Sequence, residues 1–498
     1  MAKKNWLLFA LTLMALIVNI DYTAVNLSLV KISHELHSEL NVIQWVLGAY
    51  VLVWSAFVIP ASKTIEKYGH FRICFFGLLL FLLGSIVAGF SPFAWMLILG
   101  RILQGVAAAF FVPTLYGLVA VTFPPERQGQ AMGKLGLGVG LGMAIGPTFG
   151  GVILTYLGWR WIFFINVPII LFIMSIVMFT APKSPIQSSI KLDKVASALL
   201  SIGIVSLMYA LSLLHRIDMG GEEFAFFLAV AFIVFLLFFI QQSRSDDALI
   251  SLKIFKNKAY AGSCIALALE QYVFAAVVVS FGLYLQKVMD LSVLNASMFF
   301  LALTLVFGLI SPFSGRLVDK VGIQKPAFFG MLLLAFGMLL VALFAGVMSF
   351  WLVIVSLLIM GIGMGLAFNA LNTGIITTVK PEEVGVASGI FVMLALLFNT
   401  IGVIITTMIY EVASYHRLLA YAERLKGGLN TSQIGQLHHV IIYIGSSIYN
   451  LNDFSLQAQK AIIAYIPYSL SHGLSVALSL GALVSIASAL VAKILCRD

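Results

Sequence analysis

The sequence predicts an all-α integral membrane protein of about fourteen transmembrane helices, arranged as two six-helix bundles plus two extra helices. Composition is the first reason. Hydrophobic residues fill 61% of the 498 positions, charged residues 10%, and mean hydropathy is +1.07. A soluble domain carries about 25% charged residues, so this chain cannot cover a water-facing surface in the ordinary way. Lipid must solvate most of it, and only helices and closed barrels satisfy their backbone polar groups there. Run length is the second reason. The apolar runs last about twenty residues, the length that crosses a bilayer as a helix, whereas barrel strands alternate in polarity over about ten. The third is an internal repeat. Ser62-Lys-Thr-Ile-Glu66-Lys67-Tyr-Gly69 follows the second run, and Gly315-Arg316-Leu-Val-Asp319-Lys320-Val-Gly322 follows the tenth. An acid, a base and a glycine recur at the same offsets on the same side, as expected of parallel halves.

In order, the helices are expected at 6–30, 42–62, 72–90, 94–118, 131–155, 160–180, 194–214, 222–242, 260–286, 294–314, 326–346, 350–374, 384–410 and 469–493. Residues 1–185 form the first bundle, 186–245 two inserted helices, and 246–498 the second bundle with a long extracytoplasmic loop at 411–468. That loop is polar, rich in Tyr, His, Asn and Gln, with an amphipathic helix expected near 454–466. The first run is too long for a signal-peptide core and is read as a retained helix.

The net charge of +9 has a topological explanation rather than a nucleic-acid one. With the N-terminus inside, inner segments hold 20 Lys and Arg and outer segments 8, so both termini are expected in the cytoplasm. Cys74, Cys264 and Cys496 are scattered, with neither a disulfide framework nor a metal set. The His438–His439 pair reads as a solvated turn. No G-x-x-x-x-G-K-[ST] or H-E-x-x-H motif occurs. ATP hydrolysis by the chain is therefore not expected.

Five segments carry a resemblance. The first helix has Ile20-Asp21-Tyr-Thr23-Ala-Val-Asn26, the second Gln44-Trp45-Val-Leu-Gly-Ala-Tyr50, and the fourth Arg101-Ile-Leu-Gln104-Gly105. The fifth has Gly142-x-x-x-Gly146-Pro147-x-x-Gly150-Gly151, and the sixth opens Gly158-Trp159-Arg160-Trp161-Ile-Phe-Phe-Ile-Asn166-Val-Pro168. Together they resemble the major facilitator superfamily, and most closely its fourteen-helix drug:proton antiporter family. The resemblance implies the major facilitator fold, an antiporter role for the fifth-helix motif and a gating role for the two repeat motifs. The first repeat departs from the family pattern at Ser62, Glu66 and His70; the second lies closer to it.

An ionisable group in the bilayer costs roughly 2.5–3.5 kcal/mol at a helix centre and usually faces the bundle interior. Asp21, Arg101 and Glu270 are the three that stand out as proton-coupling candidates. Asp21 is a candidate proton carrier or a structural acceptor holding the first helix. Glu270 has no charged neighbour within ten residues on either side and is a candidate proton or cation site, or the partner of a base on another helix. Arg101 needs carboxylate or carbonyl partners and can tune a nearby acid or simply pair with it. Asn19, Thr23 and Asn26 share one helix face. With Gln104, Gln271, Tyr272, Asn369 and Asn372 they are the candidate cavity residues. The glycine-dense fifth helix suits close helix approach, and Pro147 bends it.

The expected function is proton-coupled export of a small amphipathic molecule, cationic or neutral and lipophilic, by alternating access. A carrier of one specific metabolite or siderophore is the alternative, and a non-transporting sensor or scaffold the alternative of another class. An enzyme is not expected. No cofactor is expected beyond protons as coupling ion. The partners are the small-molecule substrate, protons and the lipid bilayer, not nucleic acid, around a monomer in the inner membrane.

Overall fold

A computed structural model gives the fold and describes residues 2–26, 28–183, 192–214, 217–244, 248–250, 252–347, 349–380, 383–426, 429–442 and 451–496. Among them, fourteen helices are long and apolar enough to cross a membrane, one for each predicted run. They are α1 (Ala2–Asn26), α2 (Trp45–Tyr68), α3 (His70–Gly89), α4 (Ala94–Thr122), α5 (Gln128–Tyr156), α6 (Arg160–Thr180, with a turn at Ile165) and α7 (Lys194–Leu213). There follow α8 (Ile217–Arg244), α9 (Lys258–Lys287), α10 (Val293–Val321), α11 (Gln324–Phe344), α12 (Phe350–Thr377), α13 (Val384–Lys426) and α14 (Leu456–Leu495). An even number of crossings places both chain ends on one face, called here the terminal face.

The same packing scheme occurs twice. In the first half α1 packs on α5 and α6, α2 and α3 on α4, and α3 on α6. In the second, α9 packs on α13 and α14, α10 and α11 on α12, and α11 on α14. The halves meet reciprocally, α5 on α10 and α2 on α13. Small residues set the first of these seams. A Cβ on Gly133 would stand 2.5 Å from the Ser311 carbonyl oxygen, and one on Gly140 2.5 Å from Gly308. A second glycine row on α5 faces α1, where a Cβ on Gly142 would stand 2.5 Å from the Leu16 carbonyl oxygen. Backbones this close gain dispersion contacts that larger side chains would prevent.

The inserted pair lies beside the α2–α13 seam. α7 packs on α2 and touches α13, while α8 packs on α7. Ser201 donates to the Ala56 carbonyl at 2.8 Å, and Trp45 stacks on Tyr209. Only 11% of the membrane-length window of α8 is buried, so most of that helix faces lipid. The expected bundle boundaries at 185/186 and 245/246 lie outside the described residues.

Two expectations are corrected. The repeat motifs are not loops: α2 and α10 continue past 62 and 314 to Tyr68 and Val321, because polar but helix-forming residues extend the last turns. Only the motif glycines leave the helix. Gly69 has φ 84°, ψ 153° and Gly322 φ 79°, ψ −179°, a region open essentially to glycine alone. The 411–468 stretch is likewise largely helical among its described residues. α13 runs 43 residues, Thr431–Ile442 forms a helix, and α14 starts at Leu456. Its polarity reports a helix pair leaving the membrane, not an irregular loop. Leu418, Ala422, Leu437, Ile462 and Ile466 extend the buried core of the second half into it.

Candidate functional site

The buried polar groups fall into three places. The first ties the first half together. Asp21, Arg101, Gln104, Asn166 and Ser85 are all fully buried, drawn from α1, α4, α6 and α3. Arg101 Nη1 donates to Asp21 Oδ2 at 2.5 Å and to Gln104 Oε1 at 2.8 Å, and Nε donates to the Val46 carbonyl at 2.9 Å. Asn166 and Gln104 donate to Asp21 Oδ1 at 2.9 and 3.2 Å. The guanidinium also lies 4.2 Å from the Tyr50 ring centroid. Every group offered to Asp21 is a donor, which is what a carboxylate anion takes.

The second place is the second half of the sequence pair. Glu270 on α9 is 1% exposed. Gln271 Nε2 donates to its Oε2 at 2.7 Å, while Oε1 has no hydrogen-bond partner. Among the described residues no cation lies within ion-pairing distance of it. Asp21 and Arg101 therefore stand together and Glu270 stands apart.

The third place is a central cavity of about 170 Å³ between the halves. Asn19, Gln271 and Asn369 line it, with Tyr22, Trp54, Tyr116, Phe368 and Phe391 among the aromatic wall. Five expected cavity residues are elsewhere. Thr23 hydrogen-bonds its own helix and abuts Gly146. Asn26 is exposed at the end of α1, and Gln104 belongs to the Asp21 cluster. Tyr272 packs into the second-half core, and Asn372 donates to the Phe368 carbonyl. Sequence reasoning missed Trp54 and Tyr116, whose aromatic character is no different from that of packing residues. It quoted Asn166 without a role, although an amide fully buried in an apolar helix signals a polar partner.

The cavity is closed toward the terminal face. Asp319 accepts from the Gly129 and Gln130 backbone N–H groups at 2.8 and 3.0 Å, capping the start of α5 with a charge of the sign its dipole favours. Tyr116 meets Phe391 edge-on, and positions where a Cβ would touch Ser62 and Ile65 bring Gly385 against α2. The first motif behaves differently: Glu66 pairs with Lys63 of its own helix at 2.7 Å, and Lys67 lies over Tyr68. Arg316 and Lys320 flank Asp319 on the last turns of α10. Of the fifth-helix motif, Gly142, Gly146 and Gly150 pack on α1, while Pro147 and Gly151 are half-buried.

A profile described as Major Facilitator Superfamily matches residues 11–403. The chain belongs to that superfamily. Among its major facilitator relatives, the riboflavin transporter RibZ of Clostridioides difficile (strain 630) is 29% identical over 387 residues, 77% of this chain and 83% of that protein. The tetracenomycin C resistance and export protein of Streptomyces glaucescens is 28% identical over 396 residues, 77% of this chain and 71% of that protein. The quinolone resistance protein NorB of Staphylococcus aureus (strain MRSA252) is 28% identical over 361 residues, 72% of this chain and 78% of that protein. Two solved major facilitator structures share the fold at 12% identity. The human organic anion transporter MFSD10 (TETRAN) superposes with a TM-score of 0.64 over 98% of this chain and 97% of its own. The proton:xylose symporter XylE superposes with a TM-score of 0.60 over 97% and 95%. The chain is thus a multi-pass membrane transporter rather than an enzyme.

Proposed function

We propose that this transporter is a proton-coupled antiporter that exports small amphipathic molecules by alternating access, working as a monomer in the inner membrane with both termini in the cytoplasm. One observation carries the reading: Glu270 is buried without a counter-charge and is joined through Gln271 to the central cavity. A lone charge at this depth is expensive, and a proton is the smallest species that neutralises it. Substrate at the Gln271 wall and a proton on Glu270 then compete through one hydrogen bond, which is the coupling an antiporter needs. The Asp21–Arg101 pair holds the first half rigid while the halves rock. The contacts around Asp319 close the cytoplasmic side, so the cavity here faces outward. The printed names of the relatives support export of drug-like molecules, and the riboflavin relative supports a dedicated metabolite as the second reading.

The test is proteoliposomes under an imposed pH gradient, with a pH-sensitive dye inside and a panel of lipophilic cations and neutral compounds added in turn. A compound that drives proton movement in wild type but not in Glu270→Gln supports the reading. Proton movement that survives Glu270→Gln unchanged removes Glu270 from the mechanism.

A further inference from the structure

The cavity has a chemical polarity that its composition alone conceals. Among the described residues, no charged side chain lines it. Three of its walls carry amides, and each spends one of its two N–H donors inside the protein. Asn19 Nδ2 donates to the Ala15 carbonyl at 2.8 Å, Asn369 Nδ2 to the Gly365 carbonyl at 2.8 Å, and Gln271 Nε2 to Glu270 Oε2 at 2.7 Å. The orientation of each amide is fixed by chemistry, because backbone carbonyls and carboxylates accept only from the NH₂ end. The three carbonyl oxygens are left without a hydrogen-bond donor among the described residues. Asn399 also lines the cavity and can present either end.

We infer that the substrate is an uncharged, flat, fused-ring compound whose edge carries at least two N–H or O–H donors beside an acceptor, rather than a donor-free organic cation. The substrate class rests on the transport reading above but not on its proton coupling. Aromatic walls at Trp54, Tyr116 and Phe368 take the ring faces. The amide oxygens take the donors, and the remaining N–H of an amide takes the acceptor. A site built to pair with donors rejects a molecule lacking them, because its own polar atoms are then buried unpaired. The volume of about 170 Å³ is comparable to the roughly 150 Å³ hole that holds one benzene ring, room for one small flat ring system.

The test uses three probes on purified full-length protein by isothermal titration calorimetry. They are quinazoline-2,4-dione with two ring N–H groups, its 1,3-dimethyl derivative with none, and tetraphenylphosphonium. The dione is expected to bind at least about tenfold more tightly than the dimethyl compound, the discrimination of one lost hydrogen-bond set. That ratio is expected to collapse in Asn19→Leu and in Gln271→Met, two variants on different helices, each checked for a wild-type thermal transition. Equal binding of the dione and its dimethyl derivative, tighter binding of tetraphenylphosphonium, or no binding of the dione to folded wild type would each overturn the inference. The same preparations in proteoliposomes separate the two readings. Proton movement driven by tetraphenylphosphonium alone leaves the antiporter and removes this substrate class. Discrimination between the diones without any proton movement does the reverse.

Discussion

At the scale of single residues, two buried acids have opposite surroundings and so predict opposite mutational behaviour. Asp21 is held by three donors, one of them the guanidinium of Arg101. Asp21→Asn leaves that guanidinium buried without its counter-charge, which costs about 3–5 kcal/mol. The expected result is a large fall in thermal stability in detergent, partly restored by adding Arg101→Met, because the double change removes the charge left over. A double variant no more stable than Asp21→Asn would show that the pair is not the source of the loss. Glu270 has one donor and an unpaired oxygen. Glu270→Gln should therefore leave the melting temperature unchanged or raise it, while abolishing proton coupling; a fall like that of Asp21→Asn would mean an unrecognised partner. The sequence showed each of these residues as exceptional, since a charge in an apolar run needs a reason. It could not pair them: Asp21 and Arg101 are 80 positions apart, and nothing local records which helices become neighbours. The cavity residues were legible only in part for the same reason. The cavity side of α1 runs through Ala15, Val18, Asn19 and Tyr22, so the Asn19–Thr23–Asn26 stripe grazes its edge and only Asn19 reaches it.

Among helices, the seam between α5 and α10 does two jobs with different residues. Its glycines allow the approach, and Asp319 fastens the end. Asp319→Ala removes the acceptor from two backbone N–H groups at the start of α5. We expect the equilibrium to move toward the state open at the terminal face by roughly tenfold, about 1.4 kcal/mol, read by electron–electron distance measurements between spin labels at Lys134 and Arg316. Glu66→Ala should move it less, because Glu66 is engaged with Lys63 on its own helix. Equal shifts from the two substitutions would restore the symmetric gating that the repeated motif suggests. Gly133→Leu should hold the seam apart outright, whereas a substitution at Gly150 should strain only the contact with Ala24 inside the first half. The spanning helices were legible because an apolar run of bilayer length has few other uses. The helical 411–426 segment was not, because helices in water carry the same Tyr, Gln and Lys that loops do, whereas the amphipathic pattern near 454–466 did mark the helix that starts at Leu456.

For the whole molecule, the two halves meet at the reciprocal α5–α10 and α2–α13 seams, and the proposed cycle makes them the moving parts. The inserted α7 and α8 break that symmetry by attaching beside one seam only. Since α7 is fastened to α2 by the Ser201 bond and the Trp45–Tyr209 stack, the pair should travel with the first half. Cross-linking α7 to α2 through paired cysteines should therefore leave transport intact, while cross-linking α7 to α13 should stop it. Arrest by both links would indicate that the pair must slide during the cycle.

α13 and α14 are continuous from the bilayer into the region beyond it. A helix of 43 residues is about 65 Å long, more than twice the roughly 30 Å hydrocarbon layer. In the membrane, the matching helices of the first half end without such an extension. The projecting pair is a pointer rigidly mounted on one half. A tilt of only about 10° at the membrane sweeps its tip through roughly 5 Å over a 30 Å arm. A binding protein raised against that tip would read the transporter's posture from the face opposite the chain ends, and one wide enough to brace it against the opposite rim would stop the machine without ever entering the cavity.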